Sequence, residues 1–266
     1  MKNLTLTLTG FALLLLFSCQ EEVPEPQWVA RLSIASAANG ATYDIKVAQP
    51  ANYFTTDEKY AVIYVLDGDE NFARVASHCK KLSDQYGVAN VLVVSIGYGK
   101  DRNMDYTPSK TSETTGGAPL FLKFIKEELV PRIEQEFRAD TSRSHRVILG
   151  HSFGGLFGAY AFAADNNLFG NYILLSPSLW FDNEITLRLE SNRRSILKDR
   201  EQLIFMGQGE LENNGKMQAP FEGFYRAIKE NYSTARVARN LEKDLDHVGS
   251  RNPNIRKGLD FYFLNR

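Results

Sequence analysis

The residues Gly150-His151-Ser152-Phe153-Gly154-Gly155 have the types and spacing for nucleophilic chemistry. A serine in Gly-x-Ser-x-Gly, when a strand precedes it and a helix follows, stands at the apex of a sharp reversal with its Oγ exposed. His145 to Leu149 reads as a short buried strand, and Leu156 to Ala164 as a helix rich in small residues. A Cβ at position 150 or 154 would meet the neighbouring strand or helix, so glycine is needed at both. Ser152 is therefore the candidate nucleophile. The backbone N–H of Phe153 is the candidate oxyanion donor, because the first N–H groups of a helix lack partners and sit at the positive end of its dipole.

A serine hydroxyl needs a base, and the base needs an orienting acid. Of the four histidines, His78 falls in a helix, His145 opens the elbow strand and His151 adjoins the serine. Only His247 lies in a loop after a late strand, which makes it the expected base. The acid belongs after the penultimate strand, at Gly209-Glu210-Leu211-Glu212, where Glu212 is the first choice and Glu210 the second. Asp244 and Asp246 stand too close to His247 in sequence to rank above them. The second oxyanion donor is expected from Asp67-Gly68-Asp69, as the N–H of Asp69, with both aspartate carboxylates bonded locally. Arg102 offers a planar donor fork for an anionic group, and equally suits a salt bridge with Asp105 or another loop acid. Trp180 and Tyr106 are candidate stacking surfaces for the substrate, with core packing as the equal alternative. No metal and no cofactor is expected. Cys79 reads as a buried thiol, and His78 beside it has no partner at ligand spacing.

The elements that must position these groups alternate. Trp28 to Ser36 and Thr42 to Val47 flank Asn39-Gly40 and predict a β-hairpin. Continuous apolar runs at Tyr60 to Leu66, Val91 to Ile96, Asn171 to Leu175 and Leu203 to Met206 predict buried parallel strands. Arg236 to Leu241 follows as another strand, and helices are expected near residues 70–86, 183–200, 219–232 and 253–264. Pro119 opens a further helix, which Pro131 should kink. Gly97 to Gly117 reads as a long polar loop, of a length that is usually functional or disordered. The whole predicts an α/β fold: a mostly parallel central sheet with an antiparallel N-terminal hairpin, helices on both faces and a minimal lid.

With 266 residues and a net charge of −1, the chain has no polycationic footprint for nucleic acid. Lys2 followed by an apolar run to Phe17 predicts an export signal, too short for a comfortable membrane span. Leu16-Phe17-Ser18-Cys19 resembles a bacterial lipobox, so residues 1–19 are expected as a lipoprotein signal with lipidated Cys19, and 20–27 as a stiff acidic tether. Residues 28–266 then form a single domain on a protein anchored to the cell envelope, with the outer membrane favoured. The partners expected are this membrane and a small-molecule ester.

Tyr64-Val65-Leu66-Asp67-Gly68, Arg102 with Asp105-Tyr106-Thr107-Pro108, the Ser152 segment, Ser176-Pro177-Ser178-Leu179-Trp180 and Gly209-Glu210-Leu211-Glu212 together resemble the Putative esterase family of α/β-hydrolases. The flavour is that of its siderophore-esterase branch, which opens ferric trilactones. The resemblance implies Ser152 as nucleophile, His247 as base, support for Glu212, and a serine esterase acting through an acyl-enzyme. Aryl or acetyl esters are the other substrates it implies. An acyltransferase on the same residues and a binding lipoprotein without turnover are the alternatives.

Overall fold

The computed structural model describes residues 23–87, 90–197, 199–212 and 216–266. Strands β1 (Val29–Ala35) and β2 (Thr42–Ala48) pair antiparallel across a turn in which Gly40 has φ 65° and Asn39 Oδ1 accepts the Ala41 N–H at 3.0 Å. Then follow β3 (Ala61–Val65), α1 (Gly68–Tyr86), β4 (Val91–Ile96), α2 (Arg102–Tyr106), α3 (Ala118–Phe124) and α4 (Val130–Glu136). The second half runs β5 (Arg146–His151), α5 (Phe153–Ala164), β6 (Asn171–Leu175), α6 (Phe181–Arg193), β7 (Gln202–Gly209), α7 (Gln218–Asn231), β8 (Ala235–Glu242) and α8 (Arg251–Asn265). The sheet order is β1-β2-β4-β3-β5-β6-β7-β8, and every pair from β4 onward is parallel. This is the expected α/β architecture.

Buried on both faces, the strands feed two cores, and the period-2 alternation of side chains assigns them. On β3, Val62 and Tyr64 join the α3, α5 and α7 side with Phe121, Phe157 and Phe224, while Ile63 and Val65 face Phe72, Val75 and Leu259 from α1 and α8. The parallel register places Val65 beside Leu149, His151 beside Leu175, Leu175 beside Gly207 and Gly209 beside Glu242. The carboxyl ends of β3 and β5 to β8 therefore open along one edge, where ligand sites of open α/β sheets lie.

Three segments carry detail that the expectation lacked. The Gly97–Gly117 loop is ordered by α2, whose first turn Asp101 caps by accepting the Asn103 and Met104 N–H groups at 2.8 and 3.1 Å. The helix opened by Pro119 is interrupted just before Pro131 and resumes through it. The turn before it, Ile125–Leu129, widens to π geometry, which makes room for a residue with no N–H and a bulky ring. In α6 the first residues Asp182, Asn183 and Glu184 have φ of 44°, 51° and 59°, so the right-handed helix begins only after them. Among the described residues no helix is long and apolar enough to cross a membrane, and the proposed signal with Cys19 lies outside the described residues.

Candidate active site

Strand β5 delivers Ser152 to the sheet edge in a backbone that few residues adopt, φ 59° and ψ −118°. Such a conformation costs about 1–3 kcal/mol and persists only where its surroundings impose it. Here the Ser152 N–H donates to Leu175 O at 2.9 Å, and its carbonyl accepts from the Ser178 N–H at 3.1 Å. A Cβ on Gly150 would stand 2.4 Å from the carbonyl carbon and oxygen of Gly154, so strand and helix touch backbone to backbone at the reversal. Phe153 opens α5, leaving its N–H without an intrahelical partner beside the serine.

The other members arrive from β7 and β8. Gly209 must be glycine, since a Cβ there would meet Leu245 O at 2.3 Å. The chain then turns, and Glu212 is buried at 4 % exposure. Its Oε2 receives His247 Nδ1 at 2.7 Å. Its Oε1 accepts from Ser176 Oγ at 2.7 Å, the Gly209 N–H at 2.6 Å and Ser250 Oγ at 3.2 Å. Burial alone would raise the carboxyl's pKa, but the bonds from His247, Ser176 and Gly209 outweigh it and hold the pKa below the usual range. Glu212 thus enters ionised and fixes the proton of His247 on Nδ1, leaving Nε2 free as an acceptor. Glu210 is turned away, accepting the Asp244 N–H at 3.1 Å.

Ser152, Phe153, Glu212 and His247 line one open cleft of about 420 Å³ with Arg102, Ser178, Trp180, Lys216 and Met217. The Ser152 hydroxyl makes its hydrogen bond with Ser178 Oγ, at 3.4 Å, rather than with His247. Serine–base bonds commonly tighten only when substrate is bound. Trp180 is 37 % exposed, with its ring centre 6.3 Å from that of Phe153 and Lys216 Nζ 5.8 Å above it. Asp69 is the second residue of α1, so its N–H lacks a helical partner, and its carboxylate is drawn outward to Lys46 at 3.2 Å. It does not line the cleft as outlined by these side chains.

One expected substrate contact needs correcting. Tyr106 is fully buried and cannot touch a substrate; its hydroxyl accepts the Asp67 N–H at 2.9 Å. Arg102 lines the cleft, and its fork makes the salt bridge with a loop acid that was the equal alternative: a bidentate pair with Asp67, at 2.6 and 2.9 Å, in place of Asp105. Asp105 instead accepts from Tyr43 Oη and the Gly99 N–H.

Sequence reasoning gave no role to Ser176, Ser178 and Ser250, which surround the acid and the nucleophile. Ser176 directly follows β6, Ser178 lies two residues further on, and Ser250 directly precedes α8. His151 also has an unforeseen part. Its Nε2–H donates to His247 O at 2.9 Å, and the two imidazole centres lie 4.6 Å apart. Burial first, then the neighbouring His247 and Arg251, push its pKa down to about 4. Among the described residues no group of three or more His, Cys, Asp or Glu side chains could hold a metal ion.

Comparison with known proteins gives the family. The Putative esterase family matches residues 36–252. The chain is 30% identical over 206 residues to the ferri-bacillibactin esterase BesA of Bacillus subtilis, covering 69% of this chain and 70% of that one. It is 25% identical over 220 residues to the siderophore triacetylfusarinine C esterase of Aspergillus fumigatus, covering 76% and 75%. Among solved structures, the BES protein of Bacillus cereus superposes with a TM-score of 0.79 at 28% identity, covering 92% of this chain and 98% of that one. An IroE-like serine hydrolase from Shewanella oneidensis gives 0.77 at 27% identity, covering 89% and 80%. The chain belongs to the Putative esterase family of α/β-hydrolases and is a carboxylic-ester hydrolase.

Proposed function

We propose that the protein is an exported, lipid-anchored serine esterase that opens small soluble esters, siderophore trilactones foremost. The observation that carries the chemistry is the 2.7 Å bond from His247 to a buried, fourfold-bonded Glu212 in the cleft that holds Ser152. Ser152 Oγ attacks the ester carbonyl while His247 Nε2 takes its proton, and Glu212 stabilises the imidazolium. The Phe153 and Asp69 N–H groups receive the oxyanion. His247 returns the proton to the leaving alcohol, an acyl-Ser152 ester remains, and a water activated by His247 releases the acid.

The substrate class is supported by the names of the relatives, siderophore esterases of a bacterium and a fungus. An exposed indole between Phe153 and the Lys216 ammonium suits an aromatic, electron-rich acyl group. Export rests on the lipobox-like Leu16-Phe17-Ser18-Cys19. The test is hydrolysis of a ferric catecholate trilactone beside phenyl and acetyl esters of simple alcohols, followed by chromatography with the Ser152→Ala variant as control. Ser152-dependent opening of the trilactone at a higher kcat/KM than the simple esters supports the reading. Transfer of the acyl group to an added alcohol in preference to water would favour the acyltransferase alternative.

A further inference from the structure

The Arg102–Asp67 pair sits where an anion is least welcome in an ester hydrolase. Asp67 follows β3 with φ 52°, its side chain is 4% exposed, and it immediately precedes Gly68 and Asp69. Its Oδ2 lies against the first turn of α5, 3.0 Å from where a Cβ on Gly154 would stand. That turn supplies the Phe153 N–H and the positive helix end that the oxyanion is to use. A bare carboxylate there would take up the same field and repel the developing charge.

Arg102 answers this twice. Nε and Nη2 bond both carboxylate oxygens of Asp67, and Nη2 also donates to His151 O at 3.2 Å, the carbonyl just before Ser152. One guanidinium thus ties the loop after β3 to the elbow after β5. Tyr98 Oη donates to Asp67 Oδ1 at 2.8 Å, and the guanidinium carbon stands 5.5 and 5.8 Å from the Tyr106 and Phe153 ring centres, which keeps the fork in place.

We propose that Arg102 is a positioning residue, neutralising Asp67 and locking together the two loops that carry the oxyanion donors, rather than a contact for the substrate. The proposal rests on the serine-esterase reading above. Its signature is a rescue. With Asp67 left uncompensated, Arg102→Met lowers kcat toward p-nitrophenyl acetate by about 100-fold, the scale of one lost oxyanion donor, with KM changed by less than about 3-fold. Asp67→Asn in the same chain removes the stranded charge, and kcat recovers to within about 10-fold of wild type.

The experiment is the full cycle, namely wild type, each single variant and the double variant, read as kcat and KM on this small neutral ester and as melting temperature. Recovery of both kcat and melting temperature in the double variant is the expected result. A loss confined to KM in Arg102→Met, or a double variant no better than Arg102→Met, overturns the proposal while leaving the esterase reading intact. Absence of Ser152-dependent turnover in the folded wild type overturns the esterase reading, and this proposal with it.

Discussion

Replacing Glu212 by glutamine separates what its charge does from what its shape does. Among the described residues, the Oε1 side of the carboxylate is surrounded by three donors, Ser176 Oγ, the Gly209 N–H and Ser250 Oγ, whereas the Oε2 side faces only His247. An amide will therefore place its oxygen among the three donors and turn its NH₂ toward His247 Nδ1. The imidazole must then accept at Nδ1 and carry its proton on Nε2, the wrong tautomer for a base toward Ser152. The same exchange in a Ser-His-Asp triad lowers kcat by about 10⁴-fold, and a fall of about 10³–10⁴-fold is expected here. Stability should drop by only about 1–2 kcal/mol, because a charge-assisted bond of about 1.5–3 kcal/mol is replaced by a neutral one of about 1 kcal/mol.

Glu212→Ala differs in kind. It strands the Gly209 N–H and empties a buried site, costing about 3–5 kcal/mol, since Ser176 and Ser250, 3.3 Å apart, can bond each other. The two variants should thus be alike in rate and unlike in melting temperature. The folded Glu212 pKa lies below its unfolded value of about 4.5. Its contribution to stability is therefore present above that value and lost as pH falls through the folded one. Steady-state kinetics and calorimetry on both variants test this. A Glu212→Gln enzyme retaining more than about a tenth of wild-type kcat would refute the orienting role.

Three further outcomes follow from the same geometry. Gly150→Ala should cost about 3 kcal/mol or more in denaturant unfolding, because the new Cβ meets backbone atoms at 2.4 Å; an unchanged midpoint would contradict the tight elbow. His151 titrates at about 4 folded and 6.5 unfolded, so the unfolded chain binds the extra proton between those values and stability falls as pH drops through that window, by about 3 kcal/mol. The groups around it are His247, Arg251 and Glu212, and His151→Gln should remove this part of the slope, which comparison of the two unfolding curves from pH 7 to 4 will show. Trp180→Ala should raise KM for an aromatic ester by about 2–12-fold, the worth of one stacked ring, and leave an acetyl ester within about 2-fold; equal effects on both would place the ring outside the acyl pocket.

The parallel strands were legible because both their faces are buried, which writes continuous apolar runs such as Tyr60 to Leu66. The elbow was legible because backbone contact at 2.4 Å permits only glycine at position 150. Chain order singled out His247 and narrowed the acid to Glu210 or Glu212 in the same way, through what a sheet edge must gather. The fate of Arg102 was not legible. Choosing between Asp67, Asp105 and a substrate depends on a left-handed turn at Asp67 and a buried Tyr106 hydroxyl, tertiary facts without a local pattern. At Pro131 an interruption of the helix was legible, but its form, one turn at Ile125–Leu129 relaxed to π, was not, because nothing in the local residues announces it. The serines around Glu212 went unassigned because a hydroxyl after a strand is common and acquires meaning only beside a buried carboxylate.

The central claim is that Ser152 is an activated nucleophile served by His247. Treating the folded protein with a fluorophosphonate and mapping the adduct by mass spectrometry tests it directly. One adduct is expected, on Ser152, absent in Ser152→Ala and formed far more slowly in His247→Ala. A folded wild-type protein that stays unlabelled, or that labels as fast without His247, would contradict it.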